Sequence, residues 1–362
     1  MGRIAFYAPL KSPNHPVPSG ERKMARNLIQ AIAMGRGDTV SLVSELRSHV
    51  ADGNDTAQSQ IFEAAEAEIT RLVETLSAEP PALWVTYHNY YKAPDLLGPR
   101  ISAALGIPYV IVEASRARSR LTGPWARFAA AAETASDAAS TIFYVTALDL
   151  ITLSRDQTDT QDLVHLRPFL PSDTLPDETH RTPGRILSVG MFRGRDKLES
   201  YRIIADTLGQ LSHQNWQLDI AGDGPARADV EALFAPFTDK VHFLGQLDRE
   251  ALLQAYRSAA IFLWPGFNEA YGMVYLEAQA TGLPVVAQNR DGVRDVLAPG
   301  PYPAPEDGPI ALAAMLDDLL QDPDRAAIAG ATARQHIANH HLIETASKTF
   351  WNAATKLIGP SS

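Results

Sequence analysis

Short apolar runs alternate with helical patterns along most of this chain of 362 residues. In the first half, the runs are bounded by Pro and Gly, and residues with helical spacing separate them. We predict strands at residues 4–8, 39–44, 82–86, 109–112 and 142–145. Strands that alternate with helices indicate a parallel sheet with helices packed on both faces.

The same pattern restarts after a proline-rich stretch in the middle of the chain. Further strands are predicted at residues 185–189, 217–221, 241–244, 260–264 and 284–287. Because the stretch between the halves has no periodic pattern, we predict a linker there. The expected organisation is a first domain at 1–168, a linker at 169–184, a second domain at 185–340, and a terminal helix at 341–362 that packs back on the first domain.

Composition limits the functions that this chain can have. The formal net charge of −10 disfavours a broad surface for nucleic acid, so we expect no nucleic-acid partner. The absence of cysteine excludes disulfides and thiolate metal sites. No run approaches the ~18 apolar residues of a membrane span, and the first residues lack the pattern of a signal peptide. We therefore expect a cytoplasmic protein.

The strongest chemical signal lies at residues 264–278. A predicted strand ends at Trp264, a Pro-Gly loop follows, and a helix begins near Gly272. The first amides of a helix have no intrahelical acceptor and lie at the positive end of its dipole. Since glycine lets a ligand approach the backbone closely, the segment predicts a diphosphate-binding site at the amides of Gly272, Met273 and Val274.

Two glutamates flank this helix start. Glu269 lies on the loop next to Asn268, and Glu277 follows Gly272 by five residues, which is ~7–8 Å along a helix. That distance suits a carboxylate that accepts hydrogen bonds from a ribose while the phosphates occupy the helix start. Glu269 would then face sugar hydroxyls on the other side, which indicates a nucleotide sugar. Taken alone, Glu277 would be interpreted first as a solvated helical glutamate, and only the sequence blocks on both sides favour the ribose role.

The two glutamates, eight positions apart and followed by residues 278–287, resemble a known family of enzymes. Together with the blocks at 186–190, 220–225 and 241–245, in that order, they resemble retaining glycosyltransferases of the GT-B fold, family four, also called glycosyl transferases group one. The resemblance covers about 150 residues of the second half and the first half more loosely. It implies two Rossmann-like, doubly wound parallel-sheet domains that face a central cleft, with a UDP- or GDP-linked sugar as donor.

The resemblance also implies roles for individual residues. Glu277 holds the ribose, Glu269 lies near the donor sugar, and Lys197 clamps the diphosphate. The family's clamping arginine falls on Met191 here, so that Arg193 or Arg195 must replace it, and the sequence does not decide between them. With two cations on the leaving diphosphate, neither a metal nor a cofactor is expected. A surface run of charges is the alternative for all three basic residues.

Weaker matches complete the set of candidate residues. Gly222, in a Gly-Asp-Gly-Pro loop, is expected near the donor or in an ordinary turn. Gly20, before the first helix, matches the family's glycine-rich loop, and His88 matches its cleft histidine. Glu113 follows a strand and faces either the cleft or solvent. His88 and Gly20 are also compatible with purely structural roles.

A cluster of arginines near Trp125 and Phe128 is typical of a solvated face. The alternative is a surface for an anionic acceptor or for an acidic membrane. The cluster consists of Arg116, Arg118, Arg120 and Arg127, of which we predict that Arg116 and Arg118 contact the acceptor.

The sequence thus predicts a retaining hexosyltransferase that acts on a glycan or lipid-linked acceptor in the synthesis of cell-surface polysaccharides or glycoconjugates. Such an enzyme would work in the cytoplasm, with peripheral contact to the inner face of the membrane as an option. Two alternatives stay open: a nucleotide-sugar 2-epimerase of the same fold, and a non-catalytic protein that binds a nucleotide sugar in support of another transferase.

Overall fold

The computed structural model describes residues 2–17, 19–177 and 180–359. The chain forms two compact units. The first unit runs to Arg167 and resumes at Ile343, and the second unit is Pro168–Leu342. Residues 178 and 179 of the predicted linker lie outside the described residues.

The first unit is built on a six-stranded sheet in which every neighbouring pair is parallel. Its strands are β1 Arg3–Tyr7, β2 Thr39–Ser44, β3 Leu83–Asn89, β4 Tyr109–Ala114, β5 Thr141–Tyr144 and β6 Asp162–His165. The order across the sheet is β2-β1-β3-β4-β5-β6. Strand β6 was missing from the predicted set, because its four residues begin with an aspartate and end with a histidine and show no clear apolar run.

Helices cover this sheet and bury an apolar core that includes Ile4, Trp84 and Ile111. They are α1 Gly20–Arg36, α2 Asp55–Ser77, α3 Gly98–Leu105, α4 Ala126–Ala138, α5 Ala147–Arg155 and, from the end of the chain, α12 Ile343–Ile358. Ser19 caps the start of α1, since its hydroxyl accepts a hydrogen bond from the amide of Arg22 at 3.2 Å.

The terminal helix α12 belongs to the first unit. The Nε1 of Trp351 donates to the carbonyl of Ile32 on α1 at 2.9 Å, and the guanidinium of Arg36 lies 5.0 Å from the Trp351 ring centroid. Phe350 stacks on Phe143 of β5 with ring centroids 5.0 Å apart. The helix therefore closes the core of the unit in which the chain begins.

The second unit has a five-stranded parallel sheet of order β11-β10-β7-β8-β9. The strands are β7 Arg185–Val189, β8 Gln217–Ala221, β9 Val241–Gly245, β10 Ile261–Leu263 and β11 Val285–Val286. The helices are α6 Asp196–Gly209, α7 Arg227–Leu233, α8 Arg249–Ser258, α9 Met273–Ala280, α10 Gly308–Gln321 and α11 Pro323–His340. The predicted α/β architecture of two parallel-sheet domains is confirmed.

The segment predicted as a linker is packed on the second unit. Phe169 is buried, and the amide of Leu170 donates to the carbonyl of His341 at 2.8 Å. The guanidinium of Arg181 donates to the carbonyls of Ala259 and Thr281. The described parts of this segment therefore pack on the second unit, whose boundary falls at Pro168.

Each sheet has one point where the strand order reverses. In the first unit it lies between β1 and β3, and in the second between β7 and β10. The loops after two strands diverge at such a point and leave a crevice at the carboxyl ends, which is where open α/β sheets bind ligands. Among the described residues, no helix is long and apolar enough to cross a membrane.

Candidate functional site

In the second unit, the switch point brings together residues that are far apart in the sequence. Lys197, in the first turn of α6, forms an ion pair with Oε1 of Glu269, which follows β10. The Nε1 of Trp264 donates to the same oxygen at 2.9 Å, and the Lys197 ammonium lies 5.4 Å from the Trp264 ring centroid. The predicted clamp lysine and sugar-side glutamate are therefore in direct contact.

The loop between β10 and α9 is held in an unusual backbone conformation. Gly266, Asn268 and Gly272 all have positive φ, at 80°, 51° and 76°. A Cβ on Gly266 would lie 2.4 Å from the hydroxyl of Tyr275, so that only glycine fits there. The Nδ2 of Asn268 donates to Asp196 at the start of α6 at 2.8 Å, which ties the loop to the helix that carries Lys197.

Helix α9 begins next to this pair, as the sequence predicted within one residue. Gly272 is its N-cap, and Met273 and Val274 are its first residues, so their amides face the start of the helix without an intrahelical acceptor. Glu277 lies further along α9, and its Oε2 accepts a hydrogen bond from the hydroxyl of Tyr256 at 3.1 Å. Tyr256 is buried and holds this carboxylate in place.

Gly222, predicted to bind the donor, has a structural reason to be glycine. A Cβ at this position would lie 1.8 Å from the carbonyl of Gly190. The loops after β7 and β8 are joined here by backbone hydrogen bonds, such as the one from Phe192 to Asp223 at 3.0 Å. Close packing of two backbones accounts for this glycine without a ligand.

The two arginines proposed to replace the family arginine are both exposed. Met191, at the family position, has an exposed fraction of 42%. Among the described residues, neither Arg193 nor Arg195 forms a side-chain ion pair or hydrogen bond. Arg195 has φ of 60° and occupies the N-cap of α6. Neither guanidinium is oriented by the protein, so the structure does not favour one over the other.

In the first unit, His88 lies between two carboxylates. Its Nδ1 is 3.0 Å from Oε2 of Glu21 and 3.6 Å from Oε1 of Glu113. The hydroxyl of Tyr87 donates to the same oxygen of Glu21 at 3.1 Å. His88 and Glu113 both have positive φ, at 67° and 63°, which is strained for such side chains and is typical of functional positions.

Sequence reasoning missed Glu21 in this cluster. It lies one residue after the predicted Gly20, in the first turn of α1, where an acidic residue is ordinary on helix-dipole grounds. A Cβ at Gly20 would meet no atom within 4 Å. The packing of the protein therefore does not require glycine there, in contrast to Gly222, and the space beside the backbone is open.

The three charges in this cluster shift one another. Burial opposes the charge on His88, but the carboxylates of Glu113 and Glu21 outweigh it and raise its pKa to about 9. Burial raises the pKa of Glu113 to about 7, against the opposing effect of His88. Burial also disfavours the charged form of Glu21, yet the contacts with His88 lower its pKa.

Among the described residues, this cluster has side chains that could together hold a metal ion. Ligand atoms of Glu21, His88 and Glu113 all lie within 4.8 Å of one another. A metal bound there would have to displace a proton from His88, whose pKa the two carboxylates raise. The same three groups can also form hydrogen bonds with the hydroxyl groups of a ligand.

The charge on His88 gives a direct prediction. We expect its ring resonances, assigned with His88→Gln, to titrate near pH 9 by NMR, and Glu113→Gln to lower that pKa by about one unit or more because an adjacent negative charge is lost. Folding raises the pKa of His88 from ~6.5 in the unfolded chain to about 9. The contribution of protonated His88 to the free energy of unfolding is therefore complete below pH ~6.5 and is lost as the pH rises through about 9. An unchanged midpoint in Glu113→Gln would contradict the assigned contact.

The arginines predicted to meet the acceptor are engaged within the first unit. Arg116 is buried and forms ion pairs with Glu133 at 2.9 Å and Asp137 at 2.6 Å. Arg118 is exposed and pairs with Asp156 at 2.5 Å. A buried guanidinium that two carboxylates hold is a structural feature, so Arg116 does not present its charge to an acceptor.

Comparisons with known proteins agree with this geometry. Residues 178–336 match the sequence model of the glycosyl transferases group 1 family. The chain is 30% identical over 183 residues to the sulfoquinovosyl transferase of Arabidopsis thaliana. The aligned region covers 48% of this chain and 32% of that protein. It is 33% identical over 129 residues to a GDP-mannose-dependent monoacylated alpha-(1-6)-phosphatidylinositol monomannoside mannosyltransferase of Corynebacterium glutamicum, covering 33% of this chain and 34% of that protein. The chain thus matches about a third of the length of these relatives.

Solved structures resemble the whole chain. Sucrose-phosphate synthase from Thermosynechococcus elongatus aligns with a TM-score of 0.70 at 20% identity and covers 100% of both chains. HepE of Anabaena, in a complex with UDP and glucose, aligns with a TM-score of 0.67 at 15% identity, over 99% of this chain and 100% of the other. The chain therefore has the GT-B fold, and residues 178–336, which make up most of its second unit, match the glycosyl transferases group 1 family.

Proposed function

We propose that this protein is a retaining, metal-independent glycosyltransferase that moves a hexose from a nucleotide-diphosphate donor to a glycan or lipid-linked acceptor in the cytoplasm. The observation that carries the proposal is the contact between Lys197 and Glu269 beside the start of α9, at the switch point of the second sheet. Glu277, further along the same helix, would hold the ribose, and the hydrogen bond by which Tyr256 orients its carboxylate supports this role.

The arrangement suits the departure of a diphosphate. Negative charge grows on the leaving group as the glycosidic bond breaks, and fixed cations and helix amides stabilise it. Lys197 is paired with Glu269. A donor phosphate would draw the ammonium away, and Glu269 would then be available to the hydroxyls of the sugar.

The cluster in the first unit suits recognition of an acceptor. Glu21 and Glu113 can accept hydrogen bonds from hydroxyl groups, and protonated His88 can donate one. With retention by front-face displacement, the leaving phosphate oxygen takes the proton of the acceptor, so a protein base is not needed. The name of the Corynebacterium relative includes a lipid acceptor, which supports a lipid-linked acceptor here.

A panel of activated sugars tests the proposal. Thermal-shift measurements with UDP-, GDP- and ADP-sugars should raise the melting temperature for one base, because a ligand that binds the folded state stabilises it. Product analysis with the donor so identified would follow. If no nucleotide sugar or nucleoside diphosphate changes the melting temperature, the proposal is wrong.

Metal removal should leave the reaction intact. Because Lys197 and the α9 amides supply the positive potential, we expect activity in excess EDTA to stay within about twofold of the untreated enzyme. Activity with added Mg²⁺ or Mn²⁺ serves as the comparison. Loss of activity with EDTA and recovery with one of these ions would contradict metal independence.

A 2-epimerase is the rival function, and the acid and base groups around His88 favour it more than any other observation does. An epimerase would interconvert the donor sugar without an acceptor. Incubation of the protein with the donor alone, followed by analysis of the sugar, separates the two functions. Epimerised donor would support the rival, whereas unchanged donor that is consumed only with an acceptor would support transfer.

A further inference from the structure

The second unit has a cation that sequence reasoning did not consider. Arg290 follows β11, and its Nε and Nη2 donate to Oε1 of Gln288 at 2.9 and 2.5 Å. Its guanidinium lies 5.1 Å from the ring centroid of Phe267, in the loop between β10 and α9. Unlike Arg193 and Arg195, this side chain is half-buried and held in one orientation.

The loop that carries Arg290 packs directly on the loop that precedes α9. A Cβ on Gly292 would lie 1.8 Å from the carbonyl of Ala270, and a Cβ on Gly266 would lie 2.8 Å from a methyl of Val293. Glu199, two residues after Lys197 in α6, acts electrostatically on the guanidinium. Arg290 thus lies on a loop that packs against the loop before α9, which Asn268 in turn connects to the start of α6.

The charges around this crevice call for a second cation. Lys197 is neutralised by Glu269, Glu199 is paired with Arg202, and Asp196 accepts a hydrogen bond from Asn268, so that these contacts leave no net positive charge. Among the described residues, no carboxylate forms an ion pair with Arg290, and partial burial lowers its pKa. A dianionic leaving group needs more positive charge than Lys197 alone provides.

We infer that Arg290 is the second cation of the diphosphate clamp. It would replace the family's clamping arginine, whose position is occupied by Met191 in this chain. The inference rests on the proposed function and adds a residue to the same site. A guanidinium that Gln288 and Phe267 already orient can meet phosphate oxygens with two hydrogen bonds and little loss of side-chain freedom. The exposed Arg193 and Arg195 would first have to be ordered.

A comparison of nucleoside diphosphate binding with nucleoside monophosphate binding tests this assignment. With the base identified by the nucleotide panel, the Kd of the nucleoside diphosphate and of the monophosphate would be measured by calorimetry. We expect Arg290→Ala to raise the Kd of the diphosphate about 10- to 100-fold and to change that of the monophosphate less than about threefold. Arg290→Lys should recover part of the loss, since it keeps the charge.

The matched control is Arg294→Ala, because Arg294 lies on the same loop but pairs with Asp291. It should bind the diphosphate like the parent protein. Retained diphosphate affinity in Arg290→Ala would overturn the inference, as would a selective loss in Arg193→Ala or Arg195→Ala instead. Failure of the parent protein to bind any nucleotide would reject the proposed function itself, so that the two failures are distinct. Monophosphate binding by Arg290→Ala also shows that the variant is folded.

Discussion

Replacement of Lys197 by alanine should lower kcat by about 100- to 1,000-fold with a smaller change in the KM for the donor. The ammonium lies beside the start of α9, where the leaving diphosphate would gain negative charge, and the removal of one fixed electrostatic contact of this kind typically costs that much. Steady-state kinetics with the identified donor gives both constants. Lys197→Arg should retain more activity than the alanine variant.

Lys240 offers a matched control for this experiment. It lies in the same unit, and its ammonium lies 4.6 Å from the ring centroid of Trp216, much as Lys197 lies over Trp264. Lys240→Ala removes a comparable lysine–tryptophan contact at the amino ends of β8 and β9, on the opposite edge of the sheet from the start of α9, and kcat should not change. If Lys197→Ala were as active as Lys240→Ala, the lysine would have no part in the departure of the diphosphate.

Replacement of Glu277 by alanine should raise the Kd of the nucleotide by about 10- to 100-fold. A carboxylate that accepts hydrogen bonds from ribose hydroxyls contributes ~1.5–3 kcal/mol for a charged contact. Calorimetry with the nucleoside diphosphate measures the affinity directly and separates it from turnover. The loss should be smaller for a deoxyribose nucleotide, which already lacks one of the hydroxyls.

Two further variants test whether the loss of affinity is specific to the Glu277 carboxylate. Tyr256→Phe removes the hydroxyl that orients the Glu277 carboxylate, and it should weaken binding in the same direction but less. Glu250→Ala removes an exposed glutamate from α8 and should leave the Kd unchanged. Unaltered affinity in Glu277→Ala would show that the ribose is held elsewhere.

Much of the architecture could be predicted because it depends on local patterns. The alternation of apolar strands and helices predicts parallel sheets, and the Pro-Gly loop before Gly272 predicts where α9 starts. Strand β6 could not be predicted in the same way, since its polar ends give no clear run of apolar residues. The packing of the proline-rich segment could not be predicted either, because the burial of Phe169 depends on contacts with residues that are distant in the sequence.

The candidate site could be predicted only where its residues share one segment. Glu269 and Glu277 lie on one loop and helix, but the contact of Lys197 with Glu269 joins residues 72 positions apart. Glu21 follows the glycine-rich loop but is ordinary in the first turn of a helix, and only the fold brings it to His88. Arg290 lies in a stretch without a distinguishing motif. The sequence shows where glycines occur but not why they are there. A side chain at Gly222 would clash with the backbone, whereas the space beside Gly20 is open.

The packing of α12 against α1 affects how the chain can fold as it is synthesised. The second unit is continuous, so all of its sheet is available once Leu342 has left the ribosome. The other residues of the first unit are made before the second unit, but α12 is made only after it, so that Ile32 and Phe143 lack their contacts with Trp351 and Phe350 until then. In the nascent chain the first unit therefore reaches its final packing after the sheet of the second unit is complete, although most of its residues emerge earlier.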